Sequence, residues 1–158
     1  MTTESAETAD TGLSKERLRL WLRLLKASSV IEDEIRRKLR REFEGTLPRF
    51  DVMSALARYP DGLKMSQISE LLRVSNGNVT GIVDKLAEEG LAIRVPVPGD
   101  RRAALVQLTP KGGETFKIQA AAHESWVDDL LGGLSPQDIE IMSERLDGLV
   151  DTLENKDR

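Results

Sequence analysis

The sequence predicts a mainly α-helical fold with one small β-hairpin. Three observations carry that expectation. Aliphatic residues recur at helical spacing over most of the chain, and only 4% of residues are aromatic, so the core is expected to be aliphatic helix packing. One stretch, PGDRRAALVQLTPKG (residues 98–112), reads instead as a Gly-Asp turn leading into an alternating strand.

The chain of 158 residues suits one domain with helical extensions; 39% hydrophobic residues suffice for a core and 32% charged residues for its surface. Residues 1–12 carry three acids and no base and read as a disordered tail. From Leu13 to about Phe43 the pattern is helical, with Leu18, Trp21, Leu22, Leu25, Ile31, Ile35 and Leu39 as apolar positions and Ser14 as N-cap. That length is far above the ~11 residues of an average helix, so this helix is expected to run across another element or another chain. Gly45 breaks it. Thr46 and Pro48 start a short helix whose buried face is Phe50, Met53, Leu56 and Ala57. YPDG (residues 59–62) is a turn.

KMSQISELLRVSNGNVTGIVDKLAEEGL (residues 64–91) holds two short helices. Ser66 is the expected cap of the first, which buries Ile68, Leu71 and Leu72 and ends near Arg73. After a tight turn, Ser75 caps a second helix burying Val79, Ile82, Val83 and Leu86, at i, i+3, i+4 and i+7, and Gly90 stops it. This is a helix-turn-helix. Ala92 to Val97 then reads as a strand and Ala103 to Leu108 as its return, which makes a winged helix. Thr109-Pro110 opens a helix through Phe116, Ala120, Trp126 and Val127 to Leu131. Gly132-Gly133 ends it, and Ser135-Pro136-Gln137-Asp138 begins the last helix with a near capping box. In that helix Ile139, Met142, Leu146, Leu149 and Leu153 are spaced 3, 4, 3, 4, the rhythm of a helix–helix seam long enough for one half of a dimer interface. The expected organisation is thus a tail (1–12), a long N-terminal helix (13–44), a winged helix-turn-helix lobe (45–112) and C-terminal helices (113–158).

Charge and composition limit the function classes. The formal net charge is -4, but it is uneven: residues 13–44 hold ten bases against six acids, and residues 113–158 four against eleven. Only the face meeting phosphates must be positive, so an acidic total leaves nucleic-acid binding open. With no cysteine there is no thiol switch, cysteine nucleophile or thiolate metal site, and the single His123 makes a transition-metal centre unexpected. His123 has no sequence-local nucleophile, and no phosphate-binding glycine loop is present, so neither an enzyme nor a cofactor is expected. No run approaches the ~18 apolar residues of a membrane span. The acidic, polar MTTESAETAD is unlike a secretory signal, which leads to the expectation of a cytoplasmic protein without a membrane partner.

The order of long helix, short helix, SQISELLRVSNGNVTGIVDKLAEEGL, hairpin with GDRR, LTPKG and two further helices resembles the MarR family of bacterial transcription regulators over residues 13–153. Asp100-Arg101-Arg102 and Leu108 to Gly112 are its most specific parts. The resemblance implies a homodimer joined through first and last helices, so that the helices outside the lobe (13–44 and 113–158) are dimerisation helices, with Leu18, Ile139, Met142, Leu146, Leu149 and Leu153 as interface candidates. It implies a partner in double-stranded DNA, the second helix of the motif in the major groove and the wing in the flanking minor groove. Arg102 is then the minor-groove residue, Asp100 the group holding its guanidinium, and Arg101 a phosphate contact. A narrow minor groove concentrates negative potential, which suits arginine's planar, permanently charged fork.

On the second helix the outward positions are Asn76, Gly77, Asn78, Thr80, Gly81, Asp84 and Lys85. Asn76 and Asn78 suit adenine edges. Ser75 is either a phosphate contact or a plain N-cap. Gly77 and Gly81 each cost ~1 kcal/mol relative to alanine in a helix, and either close approach to DNA or helix–helix contact would explain them. The basic run Arg36, Arg37, Lys38, Arg40 and Arg41 has three readings: DNA steering, an anionic ligand, or a solvated face.

Family resemblance also implies release of DNA by a small aromatic effector. Trp21, Arg49, His123 and Trp126 are the candidate pocket, pairing rings with a cation and donors. LRLWLRLLKASSVIEDEIRRKLRREFEGTLPRFDVM (residues 18–53) is further similar to regulators of hydroxycinnamate breakdown, which respond to acyl-CoA thioesters. The competing class is a winged-helix module that binds protein and not DNA, for which Arg102 has no role and salt no effect.

Overall fold

The computed structural model describes residues 3–156, and of their side chains those from residue 12 onward except that of residue 101. Six helices and a small antiparallel sheet follow one another as α1 (Thr3–Phe43), α2 (Leu47–Arg58), β1 (Leu63–Lys64), α3 (Met65–Leu72), α4 (Asn76–Glu88), β2 (Ala92–Val97), β3 (Asp100–Leu108), α5 (Pro110–Leu130) and α6 (Pro136–Asn155). The chain divides into two compact units, residues 1–123 and 124–158.

Helix α1 begins well before Ser14, which lies inside it, so residues 3–12 of the expected tail are helical; residues 1 and 2 lie outside the described residues. The reason is local. That segment has no proline, it contains the helix formers Ala6 and Ala9, and Gly12 costs only ~1 kcal/mol. At the other end Glu44 takes a left-handed φ of 51° and the Gly45 N–H donates to Leu39 O at 3.1 Å, which stops the helix where the glycine predicts. Only Ile35 and Leu39 of its apolar positions are fully buried.

Thr46 caps α2, its hydroxyl accepting from the Arg49 N–H at 3.3 Å, with proline in the first turn. Phe50, Val52, Met53, Ala55 and Leu56 are buried, whereas the expected Ala57 is exposed. Lys64 is the N-cap of α3 in place of the expected Ser66: the Gln67 side chain accepts the Lys64 N–H at 2.8 Å and moves the start two residues upstream.

Both helices of the helix-turn-helix end in the same way. Arg73 (φ 53°) and Gly90 (φ 74°) are left-handed, and the following residues donate back five positions, Val74 N–H to Ser69 O at 3.1 Å and Leu91 N–H to Leu86 O at 2.9 Å. Gly90 adopts this conformation without a Cβ penalty; Arg73 does not. Val79, Val83 and Leu86 of α4 are fully buried with Val52, Met53, Leu56, Ile68 and Val106, forming one core under the motif.

The hairpin is part of a three-stranded sheet, ordered β1-β3-β2. Leu63 pairs with Val106 and Lys64 with Leu105, while β2 pairs with β3 from Ala92↔Leu108 to Pro96↔Ala104, with an irregularity at Pro96/Val97. The return strand begins at Asp100, three residues before the expected Ala103. In the second unit, Ser135 and Asp138 form the full capping box of α6: the Asp138 N–H donates to Ser135 Oγ at 3.1 Å and the Ser135 N–H to Asp138 Oδ2 at 3.0 Å. No side chain of α6 is buried within the chain. Among the described residues no helix is long and apolar enough to cross a membrane.

Candidate nucleic-acid interface

The inward triplet Val79, Val83 and Leu86 fixes which face of α4 points out. Ser75, Asn76, Gly77, Asn78, Thr80, Gly81, Asp84 and Lys85 are all exposed on the other face. Ser75 Oγ accepts from the Asn78 N–H at 3.4 Å, so its cap role is realised. Thr80 turns its hydroxyl back to Asn76 O at 2.8 Å. A Cβ on Gly77 or Gly81 would meet nothing within 4 Å. Helix–helix contact within the described chain therefore does not explain either glycine.

At the wing, Asp100 differs from its expected role. Its carboxylate accepts the backbone N–H of Arg102 at 3.0 Å rather than gripping the guanidinium, because a two-residue span matches a side chain folding back on its own turn. Arg102 is exposed and forms no ion pair with the described residues. The Arg101 side chain lies outside the described residues. One contact was not anticipated: Arg94 at the root of β2 pairs with Asp84 of α4 and ties wing to helix.

The basic run is divided. Arg36 pairs with Glu32 at 3.3 Å and Asp33 at 3.2 Å, and Arg37 with Glu34 at 3.1 Å, as a solvated face would. Arg36 and Arg40 also line a groove of about 470 Å³ with Gly45, Thr46, Leu47, Pro48, Val74, Asn78 and Ile82, which brings two arginines, apolar side chains and Asn78 of α4 together. A neighbouring cavity of about 200 Å³ adds Glu32 and Asp51; burial first, and then Glu32, pushes the Asp51 carboxyl above its usual range.

Of the four expected pocket residues, Arg49 and His123 have partners within the chain. Both terminal guanidinium nitrogens of Arg49, Nη1 and Nη2, donate to the Glu89 carboxylate, the first at 2.9 Å. His123 stacks on Phe50 with centroids 4.8 Å apart. Trp21 is 55% exposed on α1, and Trp126 is buried. Sequence reading missed the Arg49–Glu89 pair because its partners are 40 residues apart and only folding joins them. Among the described residues no group of three or more His, Asp or Glu could hold a metal ion.

Every expected seam residue is exposed: Leu18 on α1, and Ile139, Met142, Leu146, Leu149 and Leu153 on α6, between 44% and 56% accessible, joined by Ile141 and Val150.

Comparison with known proteins agrees with this geometry. Residues 46–103, from the cap of α2 into the wing, match the model of the MarR family. The HTH-type transcriptional regulator MhqR of Bacillus subtilis is 26% identical over 134 residues, 85% of this chain and 91% of that protein. A MarR family transcriptional regulator from Silicibacter pomeroyi matches in structure with a TM-score of 0.74 at 34% identity, covering 89% of this chain and 96% of its own. Sco3205 of Streptomyces coelicolor, a MarR family regulator solved in complex with DNA, shares the fold at a TM-score of 0.75 and 22% identity, with 89% and 88% covered. Since sequence identity and fold agree along nearly the whole chain, it belongs to the MarR family of winged-helix, DNA-binding transcription regulators, and it is not an enzyme.

Proposed function

We propose that this regulator is a homodimeric repressor that binds a pseudo-palindromic operator and leaves it when a small aromatic effector binds. One observation carries the dimer: α6 buries none of its side chains, yet repeats apolar residues at seam spacing along its length. A row of that size left in water is a feature of interaction surfaces. Two copies would present two α4 helices to successive major grooves, about 34 Å apart.

On each half-site Asn76 and Asn78 read adenine edges, Gly77 admits close approach, Ser75, Lys85 and Arg101 serve the phosphate backbone, and Thr80 lies on the same exposed face of α4. Arg102, with Asp100 shaping its turn, enters the minor groove. The effector is an aromatic acid or its acyl-CoA thioester. Its seat is the groove lined by Arg36 and Arg40, because apolar Leu47, Pro48, Val74 and Ile82 meet there with Arg40, which forms no ion pair among the described residues.

The test is selection from a random duplex library with the purified protein at moderate salt, followed by release assays with a hydroxycinnamoyl-CoA thioester and its free acid. An enriched inverted repeat, released by either compound, supports the reading. No enrichment and no salt-dependent binding would sink it and leave the wing as a protein-binding surface.

A further inference from the structure

The LTPKG stretch and Arg49 meet at the C-terminal end of α4, the end opposite Asn76. The Thr109 hydroxyl donates to Gly90 O at 2.6 Å, and its own oxygen accepts the Gly112 N–H at 3.0 Å. The Thr109 N–H donates to Leu91 O at 3.0 Å, and Lys111 Nζ donates to Glu89 O at 3.2 Å. Gly112 lies so close that a Cβ there would stand 1.9 Å from Leu91 O. From the other side Arg49, whose N–H is fixed by the Thr46 cap, forks onto the Glu89 carboxylate.

We propose that Arg49, Thr109, Lys111 and Gly112 form a clasp on the C-terminal end of α4 that sets the angle of this helix, making them positioning residues for DNA recognition. The inference rests on the reading of α4 as the helix that enters the major groove. Leverage explains why position matters. Thirteen residues at 1.5 Å per residue make α4 about 20 Å long, so a tilt of about 5° at Glu89 carries Asn76 about 1.7 Å. A shift of that size breaks a base-edge hydrogen bond. The core beneath α4 is apolar and non-directional, whereas the clasp is made of directional bonds.

The test uses the full-length protein and its selected inverted repeat, with variants of that repeat having one base pair inserted or removed between half-sites. Arg49→Gln and Lys111→Met are expected to weaken binding to the native spacing about tenfold, the loss of one bidentate base contact, and to flatten the preference among spacings. Gly112→Ala is expected to do so most strongly; if it fails to fold, the other two variants carry the test. Unchanged affinity and spacing preference would overturn the clasp. An equal loss at every spacing, accompanied by a fall in Tm, would overturn it too, leaving only a structural role. If wild-type protein selects no inverted repeat, the operator reading itself fails and the clasp falls with it.

Discussion

The guanidinium of Arg94, at the root of the wing, holds the carboxylate of Asp84 in the middle of α4. Both side chains are about half exposed, so as a surface pair they stabilise the fold by about 1 kcal/mol at most. Near DNA the sign of the unpaired charge matters more. Arg94→Ala leaves Asp84 facing phosphates and is expected to weaken DNA binding about tenfold, while Asp84→Ala/Arg94→Ala recovers part of the loss. Binding titrations of both variants at one salt concentration check this; a double variant as weak as the single one contradicts it.

Arg102 gives a prediction of a different kind. Because it pairs with no described acid, its replacement costs the free protein little. Arg102→Ala is expected to leave Tm unchanged, lower DNA affinity, and reduce the slope of log K against log salt by about 0.9, the amount for one phosphate-neutralising charge. An unchanged slope would show that Arg102 does not engage the duplex.

The open space around Gly77 and Gly81 separates stability from function. Gly77→Ala and Gly81→Ala should each raise stability by about 1 kcal/mol, since nothing obstructs the new methyl group. If close approach to DNA keeps these glycines, the same variants bind more weakly. Thermal melts and titrations on the same samples decide it, and variants that are both more stable and equally tight would end that explanation.

Acidification should act through Glu89 and Asp138. The hydrogen bond from Arg49 holds the Glu89 carboxyl below its usual range, and the Ser135 backbone N–H, then its hydroxyl, does the same for Asp138. A carboxyl lowered in the folded state contributes stability that is full above the unfolded value, about 4.3 for glutamate, and is lost as pH falls through the folded value. Asp51 is raised and has the opposite sign: its cost is present at neutral pH and is relieved on acidification. Between about pH 5 and pH 3 the wild-type Tm should therefore fall more than that of Glu89→Gln. Parallel melting curves would rule out the Arg49–Glu89 pair as the source.

What could be read from the sequence depended on the range of the forces involved. The core face of α4 was legible because Val79, Val83 and Leu86 repeat at a helical period, and the wing because Gly99-Asp100 is a turn between two alternating segments. Seam residues on α6 were legible by the same periodicity. Strand β1 was not, since two residues cannot show alternation and Leu63 becomes a strand only by pairing with Val106. The cap of α3 was misplaced because Ser66 and Lys64 compete locally, and the Gln67 side chain decides between them. Arg49 and Arg94 were invisible as tethers: each pairs with a residue that only the tertiary fold brings near.

The sheet order β1-β3-β2 gives the wing the mechanics of a cantilever. Over Leu105 and Val106 the central strand is held on both edges, by Leu63 and Lys64 on one side and by Arg94 and Val95 on the other. Beyond that clamp only a two-stranded ribbon continues, already irregular at Pro96/Val97, and such ribbons have little stiffness alone. Bending is thus confined to the outer half, so the wing tip can move while its root stays tied to α4 through Arg94 and Asp84.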